Sequence, residues 1–270
     1  MAARRLRLDA ELVRRGLARS REHAGELVSA GRVRVGGATA AKPATQVDLA
    51  AAIVVEDAGE GEEYVSRGAH KLVGALDAFG VDVTGRRCLD AGASTGGFTD
   101  VLLRRGAGHV VAVDVGYGQI AWSLRTDERV TVLERTNVRT LEPDVVAPAP
   151  SLVVADLSFI SLTLVLPALV RCVTPGAEHV LMVKPQFEVG REALGAGGVV
   201  RSADLRADAV RHVAAAALAE GLGVRGVAAS PLPGPSGNVE YFLHLAAGAP
   251  ALEERALTEA IAAGPQAGLA

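Results

Sequence analysis

The sequence is poor in lysine. Of its 28 Lys+Arg in 270 residues, only Lys42, Lys71 and Lys184 are lysines, and the other twenty-five are arginines. Aromatic residues are also scarce at 3%, while Ala and Gly abound. Together these point to a coding bias that replaces lysine by arginine wherever the protein tolerates it, which marks the three surviving lysines for inspection. Cysteine is nearly absent: Cys88 and Cys172 cannot build a disulfide framework and are expected to be reduced, buried small hydrophobes. Long apolar runs are missing too. The stretch from Leu162 to Val170 contains Pro167 and falls short of the roughly 18 residues of a membrane span. Charges interrupt every apolar pair of MAARRLRLDAELVRRG, so no signal-peptide core is expected. These absences lead us to expect a cytoplasmic, monomeric protein with no membrane partner and no metal site.

What is present reads as a globular chain, 49% hydrophobic and 22% charged, with a net charge of -3. The length suits one large domain, or a medium one with a small companion. Net charge conceals an asymmetry. Residues 1 to 42 carry +6 and the remainder -9, a basic head on an acidic body, which suggests either a polyanion-binding module or simply a solvated charged face.

In the head, LDAELVRRGLA predicts a short helix with Asp9 as its cap and Gly16 as its stop. Ser20 caps a second helix, SREHAGELVSA, closed by Gly31. RVRVGG then predicts a strand running into a Gly-Gly turn, with a further strand near AAIVVED. The order Leu8-Asp9, Gly16, Ser20-Arg21 and Gly31 to Gly36 resembles the S4 RNA-binding domain. That resemblance makes Arg4, Arg5, Arg7, Arg14, Arg19, Arg21, Arg32 and Lys42 the candidate RNA contacts, and RNA is held largely through backbone charge and shape. The expected organisation is an S4-like domain over 1–60, a linker over 61–66 that begins in the acidic DAGEGEE stretch, a catalytic domain over 67–250, and a C-terminal helix and tail over 251–270.

Ser66 is expected to open a helix through Phe79, ended by Gly80. Beyond it, strand-like runs (RRCLDAG, HVVAVDV, RVTVLE, SLVVADLS, HVLMVKP) alternate with helical ones (TDVLLRRG, IAWSLRT, LTLVLPALVRCV, ADLRADAVRHVAAAALAEG). This predicts an α/β fold with a mostly parallel sheet covered on both faces. VRGVAAS and VEYFLHL, flanking PLPGPSGN, read as an antiparallel pair, so the last strand of seven is antiparallel.

The first strand of this domain ends in Asp90-Ala91-Gly92-Ala93-Ser94-Thr95-Gly96-Gly97-Phe98, a glycine turn that lets a ligand approach the backbone closely. Ser94 stands where the dinucleotide fingerprint needs its second glycine, which weakens a pyrophosphate reading. Asp114, twenty-two residues after Gly92, is placed for a ribose diol, and Asn137 for the adenine side. A nucleoside cofactor without pyrophosphate fits S-adenosylmethionine, with Asp90, Gly92, Ser94, Gly96, Gly97, Phe98, Asp114, Asn137 and Asp156 as its candidate contacts. Gly92-Ala-Ser94-Thr-Gly96 also satisfies the G-x-S-x-G elbow of serine hydrolases, with Asp156 and His179, His212 or His244 as triad partners. That elbow, however, normally lies deep in a hydrolase sheet rather than after its first strand.

Asp156 and Lys184 each end an apolar strand, at the carboxyl edge where open α/β sheets bind ligands. Glu240 begins the antiparallel strand and so falls on that edge as well, while Lys71 lies on the helix entering the domain. In the order Lys71, Asp156, Lys184, Glu240 these residues resemble the catalytic tetrad of RNA ribose 2'-O-methyltransferases of the FtsJ type. With SRGAHKL, DAGASTGGFT, DVGYGQ, ADLSFISL, VKPQFEVG and PSGNVEYF, the chain resembles the TlyA, or haemolysin A, family of ribosomal RNA methyltransferases up to about residue 245. The resemblance implies a Rossmann-like fold and S-adenosylmethionine-dependent methylation of a cytidine ribose in 16S or 23S ribosomal RNA on assembled subunits. It also implies that Lys184 faces the 2'-oxygen, either accepting its proton when neutral or orienting it and stabilising the developing alkoxide when charged, that Asp156 orients Lys184 and the methyl group, that Glu240 positions Lys184 or the ribose, and that Lys71 steadies the network. A non-enzymatic RNA-binding or membrane-active protein is the remaining alternative, although the sequence offers neither signal nor span.

Overall fold

The computed structural model describes residues 5–18, 20–29, 31–49, 51–55, 64–190, 192 and 194–265. The chain divides into two units, Met1–Glu63 and Tyr64–Ala270. The acidic segment 57–63, Arg4, Arg19 and the last five residues of the expected tail lie outside the described residues.

The first unit runs β1 (Arg5–Arg7), α1 (Leu8–Arg14), α2 (Arg21–Ser29), β2 (Val33–Val35), β3 (Ala38–Thr39), β4 (Gln46–Asp48) and β5 (Ile53–Val55). β1 pairs with β4, and β2 lies between β3 and β5, all antiparallel. Gly36 and Gly37 both take positive φ (58° and 86°) in the two-residue turn from β2 to β3, the conformation that makes a Gly-Gly hairpin favourable. Leu8, Leu12, Ala24, Leu27, Val28 and Val33 form its core, the faces that the helical spacing of α1 and α2 brings together. Ser20 caps as expected, its Oγ accepting from His23 N at 3.1 Å. Asp9 does not cap: Arg7 holds that position without a side-chain bond. Asp9 instead sits inside the first turn, where its carboxylate receives Arg7 and Arg21.

The second unit places α3 (Gly68–Phe79) ahead of β6 (Arg87–Ala91), α4 (Gly97–Arg104), β7 (His109–Val113), α5 (Trp122–Arg125), β8 (Val130–Leu133), α6 (Pro143–Val146) and β9 (Leu152–Ala155). There follow α7 (Leu166–Arg171), β10 (Glu178–Val183), α8 (Pro185–Glu188), α9 (Ala203–Ala219), β11 (Leu222–Ala229), β12 (Tyr241–Ala247) and α10 (Glu254–Ala263). The seven strands lie in the order β11-β12-β10-β9-β6-β7-β8. β6 to β10 pair in parallel where adjacent, and β12 runs antiparallel to both β10 and β11, which is the expected arrangement.

Strand periodicity explains the two-sided core. Leu89, Val111, Val153, Leu181 and Leu243 face one layer with α7, α9 and α10, while Cys88, Val110, Val154, Met182 and Phe242 face the other with α3 and α4. Each fully buried Leu contributes about 2 kcal/mol to this packing. Both cysteines are free and buried in these layers. Three helices depart from the expected pattern. α3 begins at Gly68 rather than Ser66, α5 is a single turn, and Pro167 divides the 162–173 run into a 3-10 turn (Leu162–Leu164) and α7.

Strand order reverses between β9 and β7 on either side of β6, and a crevice at the carboxyl ends of the strands is the geometric result. Register fixes which residues reach it. Ala91, Val113 and Ala155 end their strands in line, and Val183 pairs with Tyr241. The residues next beyond these strand ends, Gly92, Asp114, Asp156, Lys184 and Glu240, therefore share one edge.

Candidate active site at the carboxyl edge of the sheet

At that edge lies a cleft of about 440 Å³, lined by Gly92, Ser94, Asp114, Asn137 and Asp156 among the expected residues. Gly92 is required there twice over: its φ is +90°, and an added Cβ would stand 2.5 Å from the Asp156 carbonyl oxygen. Asp114 holds the glycine turn, accepting from Ser94 N at 2.8 Å and Gly116 N at 2.6 Å. Asn137 caps a 3-10 turn, accepting from Arg139 N at 3.0 Å. The sequence reading missed Val115, Gln119, Val138, Leu157, Ser158, Phe159, Ile160 and Val165, which complete the walls.

Four candidates do not line the cleft. Phe98 turns inward on α4 and packs 6.2 Å from Phe242, centroid to centroid. Gly96 and Gly97 are packing glycines; a Cβ on the first would strike Leu124 and on the second Ser66. Asp90 is fully enclosed and accepts from Thr99 Oγ1 at 2.7 Å, while its Oδ1 has no hydrogen-bond partner. Burial pushes its carboxyl up to about 7, against the stabilising Thr99 bond.

The tetrad residues form two ion pairs at the ends of adjacent strands. Lys184 Nζ stands 2.5 Å from Asp156 Oδ1, a charge contact whose geometry is not that of a directed hydrogen bond. Its directed bond goes to Ser158 Oγ at 2.9 Å. Lys71 Nζ meets Glu240 Oε2 at 2.5 Å, both side chains buried. Glu240, expected to position Lys184 or the ribose, is bonded to Lys71, since α3 brings Lys71 over the start of β12. Gly234 makes room for Glu240, because a Cβ there would come within 2.6 Å of Oε1. Glu188, four residues past Lys184, accepts from Leu162 N at 2.8 Å and bonds Ser161 Oγ at 2.5 Å. It thereby ties the loop after β9 to the helix after β10, and burial raises its carboxyl above the ordinary value. Neither Ser158 nor Glu188 carried a sequence signal beyond its nearness to Asp156 and Lys184.

The lining supports a nucleoside cofactor with a positive charge. It contains two carboxylates, Asp114 and Asp156, and no Lys, Arg or His, so it suits a sulfonium and disfavours a pyrophosphate. The hydrolase arrangement is not formed. Ser94 takes a positive φ of 49°, but its Oγ lies 3.4 Å from Gln119 Oε1. His244 pairs with Glu178 at 2.7 Å, and with His179 it belongs to the opposite, amino edge of β10. His212 is exposed on α9.

In the first unit, Arg7 and Arg21 are paired with Asp9, and Arg14 with Glu11. Arg5 and Lys42 are exposed and Arg32 is half-buried. Arg15, outside the candidate contacts, is a structural arginine: it donates to Ala51 O and Leu49 O at 2.8 Å and to Glu11 at 2.7 Å.

Residues 64–247 match the family model of FtsJ-like methyltransferases, and residues 6–53 match the S4 domain. The chain is 62% identical to the 16S/23S rRNA (cytidine-2'-O)-methyltransferase TlyA of Mycobacterium tuberculosis, over 97% of this chain and 100% of that protein. It is 38% identical to the 23S rRNA (cytidine-2'-O)-methyltransferase TlyA of Campylobacter jejuni, over 68% and 71%. A solved structure from Streptococcus thermophilus, provisionally named a hemolysin, superposes with a TM-score of 0.77 at 40% identity, covering 97% of this chain and 96% of that one. Among the described residues no helix is long and apolar enough to cross a membrane.

Proposed function

The chain belongs to the TlyA family of FtsJ-like methyltransferases with an N-terminal S4 domain, and from that premise we propose that it methylates the 2'-hydroxyl of a cytidine ribose in ribosomal RNA. The substrate is a ribosomal subunit in the cytoplasm, and the methyl donor is S-adenosylmethionine. The observation that carries this reading is the position of Lys184, held at the carboxyl edge by Asp156 and Ser158 beside a cleft lined by carboxylates.

S-adenosylmethionine, when bound, supplies an electrophilic methyl on a positive sulfonium. Asp114 and Asn137 take its nucleoside, Gly92 admits it to the backbone, and Asp156 offsets its charge. The remaining difficulty is the ribose hydroxyl, a weak nucleophile that must be aligned and relieved of its proton. Lys184 sits where it can hydrogen-bond the 2'-oxygen and stabilise the charge that develops there as the O–H bond breaks. The paired Asp156 carboxylate fixes that ammonium and is the nearest base to receive the released proton. Ser158 fixes the lysine's direction, and the Lys71–Glu240 pair braces the adjoining strand end. The S4 unit supplies affinity through its exposed basic side chains.

Incubating the full chain with ribosomal subunits and labelled S-adenosylmethionine tests the reading. The label is expected in 2'-O-methylcytidine after nuclease digestion and mass analysis. Label confined to bases, or no transfer to either subunit, overturns it.

A further inference from the structure

The loop that follows β9 builds much of the cleft. Leu157, Ser158, Phe159, Ile160 and Val165 all line it, so the path of this loop sets the shape of the site. Its first half has little to hold it in place. Ser158 and Phe159 are exposed, and Phe159 takes a positive φ of 64°, which is costly for a bulky side chain and persists only where the surroundings impose it.

The restraint comes from the turn after β10. Lys184 stands at the cap position of α8 and Glu188 ends that turn, with Phe187 N donating back to Lys184 O at 2.9 Å. Pro185 stiffens its start. At one end of the turn Lys184 Nζ donates to Ser158 Oγ at 2.9 Å. At the other end both oxygens of Glu188 are committed, Oε1 to Leu162 N at 2.8 Å and Oε2 to Ser161 Oγ at 2.5 Å. Between these ends the Phe159 and Phe187 rings meet, with centroids 5.2 Å apart. Two short segments, 158–162 and 184–188, are thus joined at both ends and in the middle, and Leu162 anchors the far end in the core.

An ammonium on a four-carbon stem has to have its direction imposed. Asp156 attracts Lys184 without a directed bond, and the directed bond goes to Ser158, whose own position depends on the loop. We propose that Glu188 is a positioning residue for methyl transfer: by clamping Ser161 and Leu162 to the turn that Lys184 opens, it fixes Ser158 and, through it, the direction of the Lys184 ammonium. The inference rests on the proposed 2'-O-methylation. Glu188 does not line the cleft, so it acts only through Ser158 and Lys184. A misplacement of about 1 Å at a reacting group costs on the order of a hundredfold in rate, which makes such a clamp consequential.

The scarcity of lysine makes a direct test available. In full-length protein grown with isotopically labelled lysine, NMR shows one set of side-chain signals for each of Lys42, Lys71 and Lys184, and Lys184→Arg identifies the last by its loss. Glu188→Ala is expected to shift the Lys184 signal, as Ser158→Ala does, and to leave those of Lys71 and Lys42 in place. With ribosomal subunits and labelled S-adenosylmethionine, kcat should fall about tenfold, while KM for the subunit and S-adenosylhomocysteine affinity, read by calorimetry, stay within about twofold of the parent. Glu188→Gln, whose amide can meet the same two partners, should restore both the signal and the rate. The losses should not combine: in a Ser158→Ala background, Glu188→Ala should cost less than about twofold more. A Lys184 signal unmoved in Glu188→Ala overturns the proposal, as does a rate loss that multiplies with that of Ser158→Ala or that Glu188→Gln shares. A loss confined to KM or to cofactor affinity overturns it too, since the clamp would then serve binding. Should Glu188→Ala not fold, Ser161→Ala removes one of its two partners and is read in the same way. A parent that transfers no methyl to any RNA sinks the underlying function instead, while the lysine spectrum still decides the clamp.

Discussion

In the N-terminal unit the carboxylates of Asp9 and Glu11 are enclosed, at 7% and 0% side-chain exposure, while three of the four arginines that answer them, Arg7, Arg14 and Arg21, face outward at 47% to 60%, and the fourth, Arg15, is half-buried at 22%. At the catalytic edge the sense is reversed. Lys71 and Lys184 are themselves enclosed, at 7% and 10%, and each is held against one carboxylate. Both arrangements bring opposite charges together, yet one presents cations to solvent and the other withdraws them from it. An outward guanidinium, planar and always charged, is suited to a polyanion whose shape matters more than its atoms. A withdrawn ammonium, small and able to direct its three protons, is suited to one oxygen atom. In a chain that otherwise uses arginine, lysine stands at both of these enclosed sites, and the third lysine, Lys42, is exposed in the head.

Lys184→Arg attacks that distinction most directly. Methyl transfer should fall by at least about a hundredfold, with S-adenosylmethionine affinity, read by calorimetry, changed less than about threefold. Near-parental turnover would show that any cation suffices there. Next in size is Lys71→Met, which leaves Glu240 buried without its partner and should cost about 3–5 kcal/mol in urea denaturation. The double change Lys71→Met with Glu240→Leu should recover most of that stability, and a double variant no better than the single would refute the pairing.

A third contrast is in pH. Arg14 and Arg15 hold the Glu11 carboxyl down to about 2, below its unfolded value. The stability it gives the head is therefore complete above about pH 4.5 and is lost as pH falls toward 2. Burial holds Asp90 up at about 7, above its unfolded value. The catalytic unit therefore loses stability as pH rises from about 4 through 7. The single tryptophan, Trp122, lies in the catalytic unit, so its fluorescence follows that unit alone while circular dichroism follows both. Glu11→Gln should flatten the acid limb and Asp90→Asn the limb near neutrality; the reverse assignment would break the comparison. The smallest effect belongs to Arg7→Gln, an exposed ion-pair partner, which should leave the thermal midpoint nearly unchanged while reducing the salt slope of RNA binding by about one.

Much of this was legible along the chain because it depends on local pattern. Alternation named seven strands, glycines marked the turn after β6, and the ends of the apolar runs placed Asp114, Asp156 and Lys184 at one edge. What was missed depends on partners far away in sequence. Glu240 was expected to position Lys184 or the ribose, and its bond to Lys71, 169 residues earlier, was not foreseen. Phe98 belongs to a motif that suggests a cofactor contact, but the helical turn of α4 points its ring at Phe242. Ser158 and Glu188 have no periodicity to betray them, and their roles exist only because the loop after β9 lies against the helix after β10.

The sequence by itself determined the two units, the strand and helix order, and the chemical types at the edge, since composition, period and glycine placement act over a few residues. Tertiary structure alone decided which lysine meets which carboxylate, which arginines face outward, and which aromatics stay in solvent around the cleft. Those choices depend on strand order and register, which set distances between residues that the chain keeps far apart.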